Sequence, residues 1–257
     1  WSRSTQWATL PRLHWSQTPQ KVEFSTTTRS PTSYPRTLLP VSTISPASSL
    51  AELATFHAAA SRVFHLHGLD FCCHGQESLE SACARKGLDP LGLIRQIEHD
   101  LLPQAERWDE RPLPQLIDHL LSSYHEAHRA ELPRLVSMAT KIEAVHADKP
   151  ACPRGLAATL TRIETELEDH MQKEEQVLFP LIRTGRGSQA ATPIGVLESE
   201  HRDHGRNLER LRELTDGYTI PAEACNTWHA LYLGLDQLER DLMQHIHLEN
   251  NVLFPRS

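Results

Sequence analysis

The sequence predicts an all-α protein: an antiparallel bundle of four long helices preceded by a small helical domain. Three observations predict it. Glycine is scarce, with 11 in 257 residues, and Leu, Ala, Glu and Arg dominate the later part while β-branched runs stay short. After residue 110, four stretches of roughly 25–35 residues carry helical spacing and are joined by short turns, for which an antiparallel bundle is the default. The motif H-x-x-x-E-x-x-V-L-F-P occurs twice, at His170–Pro180 and His245–Pro255, so the bundle reads as a duplicated helix pair. With 39% hydrophobic residues, the chain can bury one sizeable core and a small additional domain.

Residues 1–49 stand apart. Half of the first 50 residues are Ser, Thr or Pro, and three of the five tryptophans (Trp1, Trp7, Trp15) lie there without apolar periodicity. The acid-poor composition loosely resembles an organelle transit peptide, no signal-peptide h-region is present, and the sequence opens on Trp rather than Met. The reading is a disordered or non-native extension with no assigned function. Residues 50–104 are read as the small helical domain. Leu50, Leu53, Ala54, Ala60, Val63 and Phe64 approximate one helical face, stopped at Gly68. Ser78 caps a short helix that ends before Gly87, and Asp89-Pro90 opens another that closes near Pro103. The polar stretch 105–111 is a linker, and residues 105–257 form the bundle. Its helices run from Pro114 to Val145 (with Pro133 as a candidate kink), from Pro153 to Arg183, from Thr192-Pro193 toward Gly217, and from Pro221 to Pro255.

The chemistry lies in the repeat. Four residues advance a helix by about 400°, so His170 and Glu174 share one face, as do His245 and Glu249. The first bundle helix carries His125 and His128, and the third carries His201 and His204, each pair as H-x-x-H. His125 precedes His170 by 45 residues, and His201 precedes His245 by 44. A pseudo-twofold bundle would therefore gather His125, His170, Glu174, His201, His245 and Glu249 at one point of its core. Two carboxylates bring two divalent cations from +4 to +2, and an oxo or hydroxo bridge lowers this again. Imidazole with carboxylate suits iron or manganese and admits zinc. The absence of thiolates from these motifs argues against an iron–sulfur cluster or structural zinc there. A single His/Glu pair at this spacing can be a solvated surface pair worth a few tenths of a kcal/mol. Two copies with the same tail, each preceded by H-x-x-H at nearly the same distance, do not fit that reading.

Other residues divide by position. The V-L-F-P tails read as apolar packing at a helix end, followed by a proline that stops it. His128 and His204 lie about 60° from the ligand line, as donors behind the ligands or as surface residues. Glu166, one turn before His170, and Glu200, beside His201, are candidates to orient a ligand, relay protons or mark a channel; ordinary polar helix faces are the alternative. Tyr124 reads as packing, and His119, His146, His229 and His247 as ordinary structural or surface residues.

The formal net charge is −7; residues 1–50 carry +4, which leaves −11 for the rest. An acidic body without a basic stripe argues against nucleic acid, and no apolar run reaches the ~18 residues of a membrane span. Five cysteines at irregular spacing do not form a secreted disulfide framework, so a reducing cytoplasm is expected. Cys72 and Cys73 read either as a redox-active or metal-transferring pair on an exposed loop, or as two small core residues. Cys83, Cys152 and Cys225 read as incidental.

Asp70-Phe71-Cys72-Cys73 with Ser78-Leu79, the doubled His/Glu motifs and Leu248-Glu249-Asn250-Asn251-Val252-Leu253-Phe254-Pro255 together resemble the Repair of Iron Centres family over about residues 50–256. His146 to Pro150, Gly187 to Ala190 and Glu198 to His201 match as well. The resemblance implies a hemerythrin-like bundle with an oxo- and carboxylate-bridged di-iron centre, its six ligands falling on the residues derived above. It also implies that Glu174 and Glu249 bridge, that the protein is a cytoplasmic homodimer, and that it serves repair of iron–sulfur clusters under nitrosative and oxidative stress. His74 stands where the family often has a glycine after Cys-Cys, which places a further donor beside the thiols. Oxygen-carrying hemerythrins are similar but use five histidines, with one pair at i,i+4; here His201 and His204 are at i,i+3.

Three functions follow as expectations. The first is a di-iron repair protein that donates iron to damaged iron–sulfur proteins, with Cys72 and Cys73 as handover thiols. The second is an enzyme, a nitric oxide reductase. The third is a carrier or sensor of dioxygen or nitric oxide.

Overall fold

The computed structural model describes residues 44–99 and 107–257, and the expectations for the first 43 residues and for a helix end near Pro103 lie outside them. Among the described residues there is no strand, only an isolated bridge between Ser49 and Ser78.

The small domain holds α1 (Leu50–Phe56), α2 (Ala58–Leu66), α3 (Leu79–Lys86) and α4 (Pro90–His99). Ser49 and Ser78 cap α1 and α3 by accepting from the amides of Glu52 and Ser81. Gly87, at φ +67°, closes α3 in the left-handed conformation that glycine adopts most readily. Asp89 accepts from the amides of Leu91 and Gly92 and so caps α4, as its place before Pro90 predicts. The first expected helix is two. His57 is extended and breaks it. On one continuous helix Ala59 would lie about half a turn from Leu50, nine residues on. Both are buried, and the break lets each face find the core.

The bundle begins with α5 (Leu113–Leu120) and α6 (Glu126–Val145), joined without a bend residue by a π-helical turn at Leu121–His125. Pro133 lies within α6 without ending it. The second arm is α7 (Leu156–Lys173), a π-helical turn at Glu174–Leu178, and α8 (Phe179–Arg183). The third is α9 (Ala191–Leu214) and the fourth is α10 (Asn226–Leu248), followed by a third π-helical turn at Glu249–Leu253. The fourth helix thus starts later than Pro221 predicts. Pro180 does not stop the second arm: it sits in the first turn of α8, where its missing N–H costs nothing.

Two apolar clusters bracket the middle of the bundle. One joins Leu50, Phe64, Phe71 and Leu79 of the small domain to Leu135, Leu160, Leu211 and Leu235. The other gathers Leu116, Leu120, Leu178, Phe179, Leu197, Leu253 and Phe254, and so contains most of both V-L-F tails. The tails differ at their first residue. Val252 is buried, where α1 packs against its turn, whereas Val177 is 47% exposed. Each tail's phenylalanine lies against a histidine: Phe179 against His125, and Phe254 stacked on His201.

Candidate metal centre

The polar layer between the two apolar clusters is the site. His125 closes the π turn of the first arm, Glu174 opens that of the second, and Glu249 opens the one after α10. Such turns interrupt helical register and concentrate at functional sites. Only α9, which carries His201, runs through without one. All six predicted donors are buried, at 1% exposure or less.

They form two overlapping sets of four. One comprises His125, Glu174, His245 and Glu249, and the other His170, Glu174, His201 and Glu249, with the donor atoms of each set within 4.8 Å of one another. Both glutamates belong to both sets. Glu174 Oε2 is 3.4 Å from His125 Nε2, and its Oε1 is 3.6 Å from His170 Nε2. Glu249 Oε1 is 3.0 Å from His245 Nε2, and its Oε2 is 3.1 Å from His201 Nε2. Each carboxylate therefore turns one oxygen toward each histidine pair.

Three of the four rings are held from behind. His125 Nδ1–H donates to Glu175 Oε1 at 2.7 Å, His170 Nδ1–H to Glu200 Oε2 at 3.0 Å, and His201 Nδ1–H to Asn250 Oδ1 at 2.7 Å. These bonds fix the tautomers and leave each Nε2 as a lone pair aimed inward. His170 Nε2 and His201 Nε2 then face each other at 3.1 Å. Two lone pairs so placed repel unless a cation lies between them. The buried oxygens of both glutamates and the Nε2 atoms of His125 and His245 have no hydrogen-bond partner among the described residues. Stranded buried polar atoms of this kind are costly, and a bound cation satisfies them. The residues present thus fit a transition-metal cation with nitrogen and oxygen donors.

The electrostatics agree. Burial lowers the pKa of His125 and of His170 to about 4, so both rings are neutral donors at pH 7. Burial, reinforced by the neighbouring Glu249, raises Glu174 well above the carboxylate range. Burial also works to raise Glu249, but the imidazoles of His245 and His201 outweigh it and the pKa falls. One carboxylate thus resists ionisation where a second cation would neutralise it.

Among the other predicted residues, Glu200 is a ring-orienting group, supported in turn by Lys173. Glu166 is not: it is half-exposed, accepts from Asn207 Nδ2 at 2.7 Å, and reaches no ligand. His128 and His204 are buried rather than on the surface, with ring centroids 5.4 Å from His245 and 5.1 Å from His170. Tyr124 stacks on His245 at 5.3 Å, which is packing as expected. Sequence reasoning missed Glu175 and Asn250, although each directly follows a motif glutamate. Glu175 is itself held by Arg129 at 2.8 Å.

The thiols are not on an exposed loop. Asp70 Oδ1 accepts from the amides of Cys72 and Cys73, at 3.1 and 2.9 Å, and draws the loop tight. Cys72 is buried, and its thiol donates to Asp70 at 3.1 Å; Cys73 is half-buried, and its thiol donates to the backbone carbonyl of His201 at 3.4 Å. The Sγ atoms are 3.8 Å apart. The contact with Cys73, followed by burial, raises the pKa of the Cys72 thiol. His74 Nδ1 is bound to Asp70 Oδ2 at 2.7 Å and stands outside the group formed by Asp70, Cys72 and Cys73. His247 is buried, 3.3 Å from Thr55 Oγ1 and 3.1 Å from Asn251 Nδ2, at the seam with the small domain.

Bundle and donor set together define a hemerythrin-type cation-binding protein. The Hemerythrin HHE cation binding domain matches residues 116–257, and ScdA_N, a Domain of Unknown function (DUF542), matches residues 47–101. The chain is 49% identical over 213 residues to the iron–sulfur cluster repair protein YtfE of Citrobacter koseri, spanning 81% of this chain and 95% of that protein. It is 50% identical over 211 residues to YtfE of Musicola paradisiaca, with the same coverage. YtfE of an Escherichia coli strain is 49% identical over 213 residues, again with that coverage. The chain belongs to the family of these iron–sulfur cluster repair proteins. No described helix is long and apolar enough to cross a membrane.

Proposed function

We propose that the two overlapping donor sets hold two iron ions, with Glu174 and Glu249 bridging them, and that the chain gives up this iron to damaged clusters in other iron–sulfur proteins. The observation that carries the reading is the membership of both glutamates in both sets. Two cations sharing two buried carboxylates would account for the six convergent donors and for their unpartnered atoms. Iron suits mixed imidazole and carboxylate donors, and would supply an electrophilic, redox-active centre.

The chain's own residues then do three things. Glu175, Glu200 and Asn250 hold His125, His170 and His201 in the donor tautomer. The apolar clusters on both sides keep water from the ligands. The donors are imidazole and carboxylate rather than the soft thiolates that hold iron in clusters, which would leave the iron more readily exchanged. The repair role named for the relatives supports this use. The proposal includes a thiol-bearing domain up to about residue 104 and a bundle from 105, a homodimer, nitric oxide as a ligand of the centre, and a reducing cytoplasm, which the five free cysteines fit.

The test is transfer. Iron-loaded parent and Glu174→Leu chain are each mixed anaerobically with an iron–sulfur protein whose cluster has been damaged by nitric oxide, with sulfide and reductant supplied. The parent should restore the client's activity while losing iron. Equal repair by Glu174→Leu overturns the reading. A second reading is reduction of nitric oxide at the same centre, which sets of only four protein donors would leave room for. It would replace the first if the reduced chain formed nitrous oxide over many turnovers with its iron retained.

A further inference from the structure

The Leu248-Glu249-Asn250-Asn251 segment does more than supply a ligand. Asn250 faces two ways. Its Oδ1 accepts from His201 Nδ1–H at 2.7 Å, and its Nδ2 donates to the backbone carbonyl of Cys72 at 3.1 Å. The thiol loop meets the same ligand a second time, where Cys73 Sγ lies 3.4 Å from the carbonyl of His201. At the pseudo-equivalent place in the first motif copy, Glu175 orients His125 and is anchored by Arg129, a residue of the bundle itself. The two histidine pairs thus differ: an orienting bond behind one pair ends in the bundle, and one behind the other ends on the thiol loop.

We propose that Asn250 is a positioning residue that couples the Cys72-Cys73 loop to the metal subsite of His170 and His201. The inference rests on the metal reading of the preceding section. Cys73 is the reactive end of the device. It is half-buried and lines a cavity of about 350 Å³ together with Lys86, Arg202 and Arg206, so reagents can reach it. Its thiol holds the loop to α9 by donating to the His201 carbonyl at 3.4 Å. A group added to this sulfur takes the place of the thiol hydrogen, so the bond to the His201 carbonyl is lost and the loop loses that hold on α9. The Cys72 carbonyl then leaves Asn250, whose amide loses its anchor, and His201 loses its fixed orientation. Orienting partners of metal ligands are worth about 10–100-fold in affinity. The loosening is confined to one subsite, because His125 is held by Glu175.

The test uses the full chain carrying Cys225→Ser, which removes the exposed thiol and places a good capping residue ahead of α10. Iron-loaded protein is alkylated with iodoacetamide, modification of Cys73 is verified by mass, and transfer of iron to a chelator is timed. Asn250→Asp keeps the acceptor for His201 but cannot donate to Cys72. Asn251→Asp, whose side chain serves His247 and makes only longer contacts of 3.4 Å to the loop, is the control. In the parent and in Asn251→Asp, alkylation should speed release of half the iron by about tenfold. In Asn250→Asp it should change the rate less than about twofold, because the bond through which the loop acts is already cut. Unchanged release from alkylated parent, or equal acceleration in Asn250→Asp, overturns the coupling. A second readout needs no substitution at Asn250: in the zinc-loaded parent, the His201 Nδ1–H proton resonance should move on alkylation while those of His125 and His170 stay. A stationary His201 resonance also overturns the coupling. A parent chain that binds neither metal overturns the metal reading itself, and the coupling falls with it.

Discussion

The shared carboxylates make a prediction that can be counted. Replacing His125 by Ala removes one donor from a single set, leaving three there and all four of His170, Glu174, His201 and Glu249. Replacing Glu174 by Gln removes an anionic donor from both sets at once. It also halves the negative charge contributed by the two shared carboxylates, from −2 to −1, against the +4 of two divalent ions. At a metal concentration that gives the parent about two ions, His125→Ala should keep about one, and Glu174→Gln should keep less than about half of one. Misfolding does not explain the larger loss. Burial holds the Glu174 pKa up, so its ionised form is unfavourable without a cation, and the isosteric amide avoids that cost. The metal-free Glu174→Gln chain should therefore melt no lower than the metal-free parent. The assay is metal content by mass spectrometry after gel filtration, with melting followed by circular dichroism. Equal metal content in the two variants would refute the idea that the glutamates serve both sets.

Two further outcomes follow from the same structure. Lowering the pH should destabilise the metal-free chain between about pH 6.5 and 4. Burial depresses His125, His170 and His247 to about 4 and His204 to about 3, so across that window the unfolded chain takes up protons that the folded chain refuses, and stability present above pH 6.5 is lost as pH falls. Glu174 works in the opposite sense, which makes Glu174→Gln the cleanest background; a melting temperature there that is flat from pH 7 to 5 would contradict the burial of these rings. Gly75→Ala should cost about 1–3 kcal/mol in urea unfolding without changing metal content per folded chain. Its new Cβ would lie 2.6 Å from the Phe71 carbonyl and 2.8 Å from Ala51 Cβ, and a variant as stable as the parent would show that the loop is not held as tightly as Asp70 implies.

The long bundle helices and all six donors were legible because they depend on local rules. Period, capping and an i,i+4 spacing are carried by neighbouring residues, and a duplication displays them twice. The break at His57 was not legible, since it answers a tertiary demand: Ala59 and Leu50 must both be buried although they lie on opposite sides of one helix. The π turns were hidden for a related reason. Nothing in Leu-Ser-Ser-Tyr-His disfavours an α-helix; the wider turn is set by what the arm packs against. The sequence leaves Cys72 and Cys73 open between an exposed pair and two small core residues, because Asp70, Asn250 and Asn251, which bind the loop's backbone, look like ordinary polar residues there.

Duplication also conceals. The six candidate donors emerge by asking where the two halves agree, and the same question passes over the places where they differ. Glu175 and Asn250 occupy the same step after the motif glutamate, and both orient a histidine of the other arm. One brings a carboxylate anchored by an arginine of α6, the other a neutral amide tied to the thiol loop. Val177 and Val252 differ in the same sense, exposed on one side and covered by the small domain on the other. The differences fall where the added domain touches the fourth arm. A symmetric bundle would hold two equivalent ions. With the proposed coupling, docking a thiol-bearing domain on one arm would make one subsite answer to chemistry at the thiols while the other does not, and an iron donor would gain from that asymmetry a way to loosen one ion at a time.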